Sequence, residues 1–261
     1  MQRSALGVGV LLGAACWAAA QTPDVREVLQ QAHAASRAVK AVRYEAKGQA
    51  DGWLGQRVPA MEGTVTLVAV PGDPTPKLRI EAQAVPPGRS EPVALQLTCD
   101  GTFVAVAEHG QRVFFRRALP IGDSLLNSAA AILVREFGSE KALEREMQAA
   151  SLEYAGREVV GDVECDVVRA VLAGDEGEVR WYFGCADHLP RRVQRFVRNG
   201  QDVASITTTI AKLDVNPDIG TTAFQLERPA GFTGLSPNEL LEVGGEAPAW
   251  TLPSSAGGNV S

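Results

Sequence analysis

Apolar residues along the chain follow two periods, and the change from one to the other divides it. Val25, Val28, Leu29, Ala32, Ala35 and Val39 recur at helical spacing. Thr22-Pro23-Asp24 precedes them as a start signal: a cap, a proline at the first turn, and an acid facing the positive helix end. One amphipathic helix is predicted over about residues 23–40. Period two then takes over. Thr64–Val70 reads as a strand stopped by Pro71-Gly72-Asp73-Pro74, and Val93–Thr98 as another, with Asp100-Gly101 as a hairpin signal. Phe103–Ala107 returns, and Val113–Phe115 continues beyond His109-Gly110.

Residues 123–149 interrupt the series. Leu125, Leu126, Ala129, Ile132, Leu133 and Phe137 are spaced as on a helix, Gly138 is a stop signal, and Ser139 is placed to cap a second helix carrying Leu143 and Met147. Strands resume at Leu152–Tyr154, Cys165–Leu172, Val179–Phe183, Arg192–Val197 and Ala204–Leu213. In the last, Ile206, Thr208 and Ile210 share one face and Ser205, Thr207 and Thr209 the other, the mark of a sheet with one dry side. No α/β alternation and no internal repeat is present. The fold expected is α+β and mainly antiparallel β: one large curved sheet with an N-terminal helix and a helical insertion. After about residue 214, Asn216-Pro217-Asp218, Pro229-Ala230-Gly231 and Leu235-Ser236-Pro237 read as loop and linker.

The first twenty residues change where this sheet is expected to work. Arg3, the apolar run Ala5–Leu12 and the small residues Ala18-Ala19-Ala20 form a secretory signal, with cleavage expected after Ala20. Lipid attachment at Cys16 is a less favoured alternative, because Gly13 stands where a leucine is usual. No later segment is apolar enough to span a membrane. Periplasm or cell envelope is therefore the expected location. At 45% hydrophobic and 21% charged, the 261 residues have ordinary globular composition. The net charge of −6 argues against nucleic acid as a partner.

Candidate chemistry is sparse. His33, His109 and His188 are not spaced as metal ligands, and no nucleophile elbow, phosphate loop or dinucleotide fingerprint occurs. No catalytic residue, metal or cofactor is expected. Glu140, Glu144 and Glu146 read as a solvated helix face, and Arg191, Arg192, Arg195 and Arg198 as the wet side of a strand. Cys165 and Cys185 flank the turn Gly174-Asp175-Glu176-Gly177 almost symmetrically, so in a regular hairpin they stand opposite each other or one step off. Opposed residues lie about 4.5–5.5 Å apart, within disulfide reach, and export favours oxidation. A Cys165–Cys185 bridge is the expectation, with two buried thiols as its alternative. Cys99 is left over. The apolar stripe of Leu67, Leu95, Leu97, Phe103, Phe115, Trp181, Phe183, Ile206 and Ile210 reads two ways: ordinary core, or the lining of a cavity for an acyl chain.

The order of elements resembles a family. Pro23 through Val28-Leu29 to Val42-Arg43-Tyr44-Glu45 is similar to the entry helix and first strand of LolA-like periplasmic proteins. The stretch Gly161–Val168, Arg180-Trp181-Tyr182-Phe183 and His188-Leu189-Pro190-Arg191-Arg192-Val193 resembles exported members of that superfamily, as do Asn216-Pro217, Phe224 and Pro229-Ala230-Gly231-Phe232. The resemblance covers about residues 23–233. It implies an unclosed antiparallel half-barrel whose helices form a lid over an apolar concavity; its best-known members carry lipoproteins by their acyl chains. The stripe would then hold the ligand, and Leu125, Leu126, Ile132, Leu133 and Phe137 would form the lid. Past a linker at 234–243, Gly245–Leu252 and Gly257–Ser261 resemble the opening strand of a redoxin-like domain without its Cys-x-x-Cys helix. Two functions follow as expectations: an envelope module binding lipid or another apolar ligand, or a non-catalytic adaptor presenting a thioredoxin-like domain to an envelope protein partner.

Overall fold

A computed structural model describes residues 22–73, 75–120, 122–174, 177–234, 252–253 and 259–260. The signal segment with Cys16, the linker 234–243 beyond its first residue, residues 175–176 of the predicted hairpin turn and most of 244–261 lie outside the described residues. Helix α1 (Val25–Ala38) starts two residues later than the sequence suggests. Its cap is Asp24, whose carboxylate accepts the Arg26 amide at 2.9 Å. Val28, Leu29 and Ala32 form its buried stripe.

The strands form a single antiparallel layer. Strands β1 (Ala41–Asp51), β2 (Ala60–Val68), β3 (Lys77–Val85), β4 (Val93–Cys99), β5 (Phe103–Glu108) and β6 (Val113–Ala118) make one meander. Strands β7 (Ser151–Val160), β8 (Val163–Val171), β9 (Glu178–Gly184), β10 (Pro190–Asn199) and β11 (Asp202–Val215) make a second. Pairing of β1 with β11 joins them in the order β6-β5-β4-β3-β2-β1-β11-β10-β9-β8-β7. The sheet is not closed, which is the half-barrel expected. β1 displays the alternation that gives the sheet one dry side: Val42, Tyr44, Ala46 and Gly48 are buried, while Arg43, Glu45, Lys47 and Gln49 are exposed. β3, absent from the period-two reading, pairs β2 with β4 and turns Leu78, Ile80 and Ala82 inward.

The insertion at 123–149 crosses the inner face, but not as two helices. Only short helices α2 (Asp123–Leu126) and α3 (Glu144–Met147) and one 3-10 turn, Asn127–Ala129, are regular. The intervening chain is held by the sheet instead. The Tyr44 hydroxyl donates to Ile132 O at 3.2 Å and accepts from Val134 N at 2.9 Å. Thr208 Oγ1 donates to Ala131 O at 2.8 Å. Burial raises the Tyr44 phenol above the ordinary tyrosine range, so it keeps the proton that it donates. The lid peptide lies so close to β1 that a Cβ on Gly48 would overlap the Ala131 carbonyl. Leu126, Ile132, Leu133 and Phe137 are buried, and Leu125 is half-buried. Phe137 packs on Tyr44 with ring centroids 5.6 Å apart.

After β11 the chain returns across the outer face. Asn216 Oδ1 accepts from Lys40 N at 2.8 Å and from Ala41 N at 3.1 Å. Phe232 and Leu226 then cover Ala105, Ala107 and Phe114, and Thr233 forms a parallel bridge with Val113.

Two substitutions test how the lid is seated. Gly48→Ala should cost about 1–3 kcal/mol by overpacking, and Tyr44→Phe about 1–3 kcal/mol by leaving lid backbone groups unpaired. Urea unfolding of both variants measures this, and a Gly48→Ala protein as stable as the parent would show that the lid does not rest on β1.

Candidate ligand-binding site

The centre of the inner face is filled. Leu67, Leu97, Trp181, Phe183 and Ile210 are each at most 4% exposed and belong to the core that packs beneath α1 and the lid. Trp181 stacks on Phe183 with centroids 5.6 Å apart and planes 10° from parallel. For these five residues the ordinary-core reading describes their place. Ile206, opposite Ala50, is half-buried on the same face. Phe115 faces inward opposite Val106 but is 37% exposed on β6, at the margin of the sheet.

Phe103 corrects the stripe. Val104 and Val106 join the inner core, so strand alternation turns Phe103 to the outer face, where the Arg116 guanidinium lies 4.2 Å from its ring centroid. The same alternation separates the arginines of β10. Arg192 faces outward over Tyr182, whereas Arg195, in register with Val179 and Ile206, faces inward. Arg195 lies 5.3 Å from the Trp181 ring centroid and 2.8 Å from Glu136.

The cysteine pairing is corrected in the same way. Cys165 stands opposite Gly184, not Cys185, and the two sulfurs are unbridged. Cys165 packs with Val160, Val167 and Tyr182 on the outer face. Cys185 falls past the end of β9, near the carboxylate of Asp166, which accepts from the Tyr154 hydroxyl at 2.8 Å and from Arg157 Nε at 2.9 Å. The one-residue offset sends the thiols to different environments. Burial pushes the Cys165 thiol up to about 11. Burial, followed by the Asp166 charge, raises Cys185 as well, so neither is an activated thiolate. Cys99 is buried in the inner core.

Among the described residues, two of the cavities lie against the lid. One, of about 320 Å³, lies between the 135–146 segment and β9–β10 and is polar, with Arg135, Lys141, Arg145 and Arg195 beside Glu136, Glu146 and Glu178. Glu146, expected on a solvated face, is 8% exposed and accepts the Trp181 indole N–H at 3.0 Å. Burial, then the neighbouring Glu136, raises its carboxyl above the ordinary glutamate range.

The second cavity is apolar, and antiparallel geometry makes it. The starts of β2 and β4 and the ends of β3 and β5 meet at one edge of the sheet, where Met61, Ala84, Val93 and Leu95 form the floor. Val58, Pro59, Pro86 and Pro87 form a wall, and Ala130 and Ala131 of the lid form the roof. Its volume is about 530 Å³, within the roughly 300–1,000 Å³ usual for ligand pockets. Of the nine stripe residues, Leu95 lines it. The other liners are loop and strand-end residues with no periodic signature; their signal was the cluster of apolar residues and prolines at 58–61 and 84–87. A wider outer groove of about 800 Å³ is lined by water-facing side chains such as Lys47, Gln49, Glu62 and Arg192.

Among the described residues no helix is long and apolar enough to cross a membrane, and no group of three or more His, Cys, Asp or Glu is placed to hold a metal.

No family model and no curated protein matches the sequence. Similar solved structures are the lipoprotein LppX of Mycobacterium tuberculosis (13% identity, 76% of this chain and 97% of that one, TM-score 0.48) and LprF of Mycobacterium bovis (10%, 77% and 98%, 0.48). A chain of the Pseudomonas aeruginosa MucA/MucB complex is similar over 78% of this chain and 62% of its own, with 14% identity and a TM-score of 0.40. At these scores the likenesses assign neither family nor cargo to this chain. The neighbours lend no support to a redoxin-like reading of 244–261, where the described residues pair Leu252–Pro253 with Asn259–Val260.

The Glu146–Trp181 contact has a pH signature. A raised carboxyl binds a proton in the folded chain that the unfolded chain releases near 4.5. Wild-type stability should therefore fall as pH rises from the unfolded value through the folded one. Glu146→Gln keeps an acceptor for the indole and removes that proton. Its stability relative to the parent should rise as pH climbs from the ordinary glutamate range through the raised one in a series of urea titrations, and a difference that is flat with pH would contradict the assignment.

Proposed function

We propose that this chain is an exported envelope module that binds an apolar ligand, an acyl chain being the simplest fit, in the cavity at the edge of its inner face. One observation carries the reading: a 530 Å³ space floored by Met61, Ala84, Val93 and Leu95 and roofed by Ala130 and Ala131 is left unfilled beside a core that is otherwise closely packed. Apolar burial supplies the affinity, at about 0.8 kcal/mol per methylene removed from water. The site differs in place from the one the sequence suggested. The ligand occupies the end of the concavity, and the lid's Leu126, Ile132, Leu133 and Phe137 act as fixed packing. The signal segment and the resemblance to envelope carriers favour the periplasm or envelope as the place of action.

A fluorescent fatty-acid probe should bind the purified protein. Ala84→Trp and Ala130→Trp, which fill the floor and the roof, should each weaken binding more than tenfold. Gln49→Trp, on the exposed outer face, should leave it unchanged. Equal binding by all four proteins would place the ligand elsewhere.

A further inference from the structure

The rim of the apolar cavity has a charge pattern of its own. Six polar side chains line it: Arg57, Arg89 and Gln111 from loops and turns, Glu108 at the end of β5, and the uncharged Asn127 and Ser128 of the lid. The single acid among them is already engaged. Glu108 Oε1 accepts Gly110 N at 2.7 Å and Oε2 accepts Gln111 N at 3.0 Å, so both carboxylate oxygens are turned into the β5–β6 turn. Among the described residues neither cation is paired with an acid. Arg57 lies over the Trp53 ring, 5.5 Å from its centroid, a contact that fixes the guanidinium without neutralising it. Arg89 is exposed on the proline loop between β3 and β4. In a chain of net charge −6, where arginines such as Arg79, Arg169, Arg191 and Arg195 each hold a carboxylate, two rim arginines left for other use mark a local reversal of sign.

From this charge complementarity, and resting on the reading of the cavity given above, we infer that the site selects a single-chain amphiphile with an anionic head: the tail lies on Met61, Ala84, Val93 and Leu95, and the carboxylate or phosphate is met by Arg57 and Arg89 at the mouth. Guanidinium groups suit this role because their forked N–H donors pair with two oxygens of either anion. Both arginines are solvent-exposed, so their contribution is modest and falls with salt. The tail supplies most of the affinity, and the head supplies discrimination.

Binding of four ligands to the full chain, by displacement of a fluorescent fatty acid at low salt, tests this. Palmitate and 1-palmitoyl-lysophosphatidylglycerol carry the two anionic heads; palmitamide and 1-monopalmitoylglycerol are neutral partners with the same tail. At least one anionic ligand should bind about fivefold or more tighter than its neutral partner, and which one does so names the head group. Arg57→Gln with Arg89→Gln should abolish that preference while leaving palmitamide binding unchanged, and Arg57→Lys with Arg89→Lys should keep most of it. Equal affinity for charged and neutral ligands, or a preference that survives the double glutamine change, overturns the inference but leaves the apolar site standing. Failure of all four to bind overturns both.

Discussion

A single-layer sheet of eleven strands has to cover its dry side with something, and in this molecule the cover is laid directly on backbone. The lid peptide at 131–134 rests on Gly48, where no side chain stands, and its polar groups are taken up by Tyr44 and Thr208 from β1 and β11. These two strands form the seam that joins the meanders. The seam and the lid thus depend on one another. Closing the sheet down its middle places Phe137 on Tyr44, and brings Trp181 and Phe183 under the neighbouring part of the lid. What the lid cannot cover is the edge beyond Ala130, and that is where the apolar cavity opens.

This arrangement divides stability from binding. The core between α1, the lid and the central strands is packed with large side chains and leaves little room for cargo. The edge cavity is built of small and cyclic side chains, Ala84, Ala130, Pro59, Pro86 and Pro87, which hold a shape without filling it. Such a surface can accept a tail without moving the lid. The polar pocket across the seam, on β9 and β10, has Glu146 protonated more readily than an ordinary glutamate and joins lid to sheet through Trp181.

The sheet was readable in the sequence where strands alternate, as β11 illustrates with Ile206, Thr208 and Ile210 inward, and where short apolar runs such as those of β5 and β9 are bounded by turns. β3 escaped because Ala82 and Ala84 give a weak apolar signal beside the polar Glu81 and Gln83. The lid was readable as a cover but not in conformation. A chain crossing an apolar surface in tight turns also buries a residue every three or four positions. The hydrogen bonds that would have made a helix are replaced by ones to Tyr44 and Thr208, partners some ninety residues before and seventy-seven after. Phe103 and the Cys165–Cys185 pair turned on a one-residue register, which spacing alone does not decide. The cavity was least legible of all, because its walls are assembled from strand ends and loops scattered from residue 57 to residue 131.

Hydrogen exchange of backbone amides with and without palmitate tests the central claim most directly, that the inner face is shut at its middle and receptive at its edge. Ligand should slow exchange at residues 57–61, 84–95 and 127–131, and leave residues 133–137 and strands β8 and β9 as they were. Protection that instead spreads along 133–137 and onto Trp181 and Phe183 would mean that the lid lifts and the ligand lies in the centre, contrary to the account given.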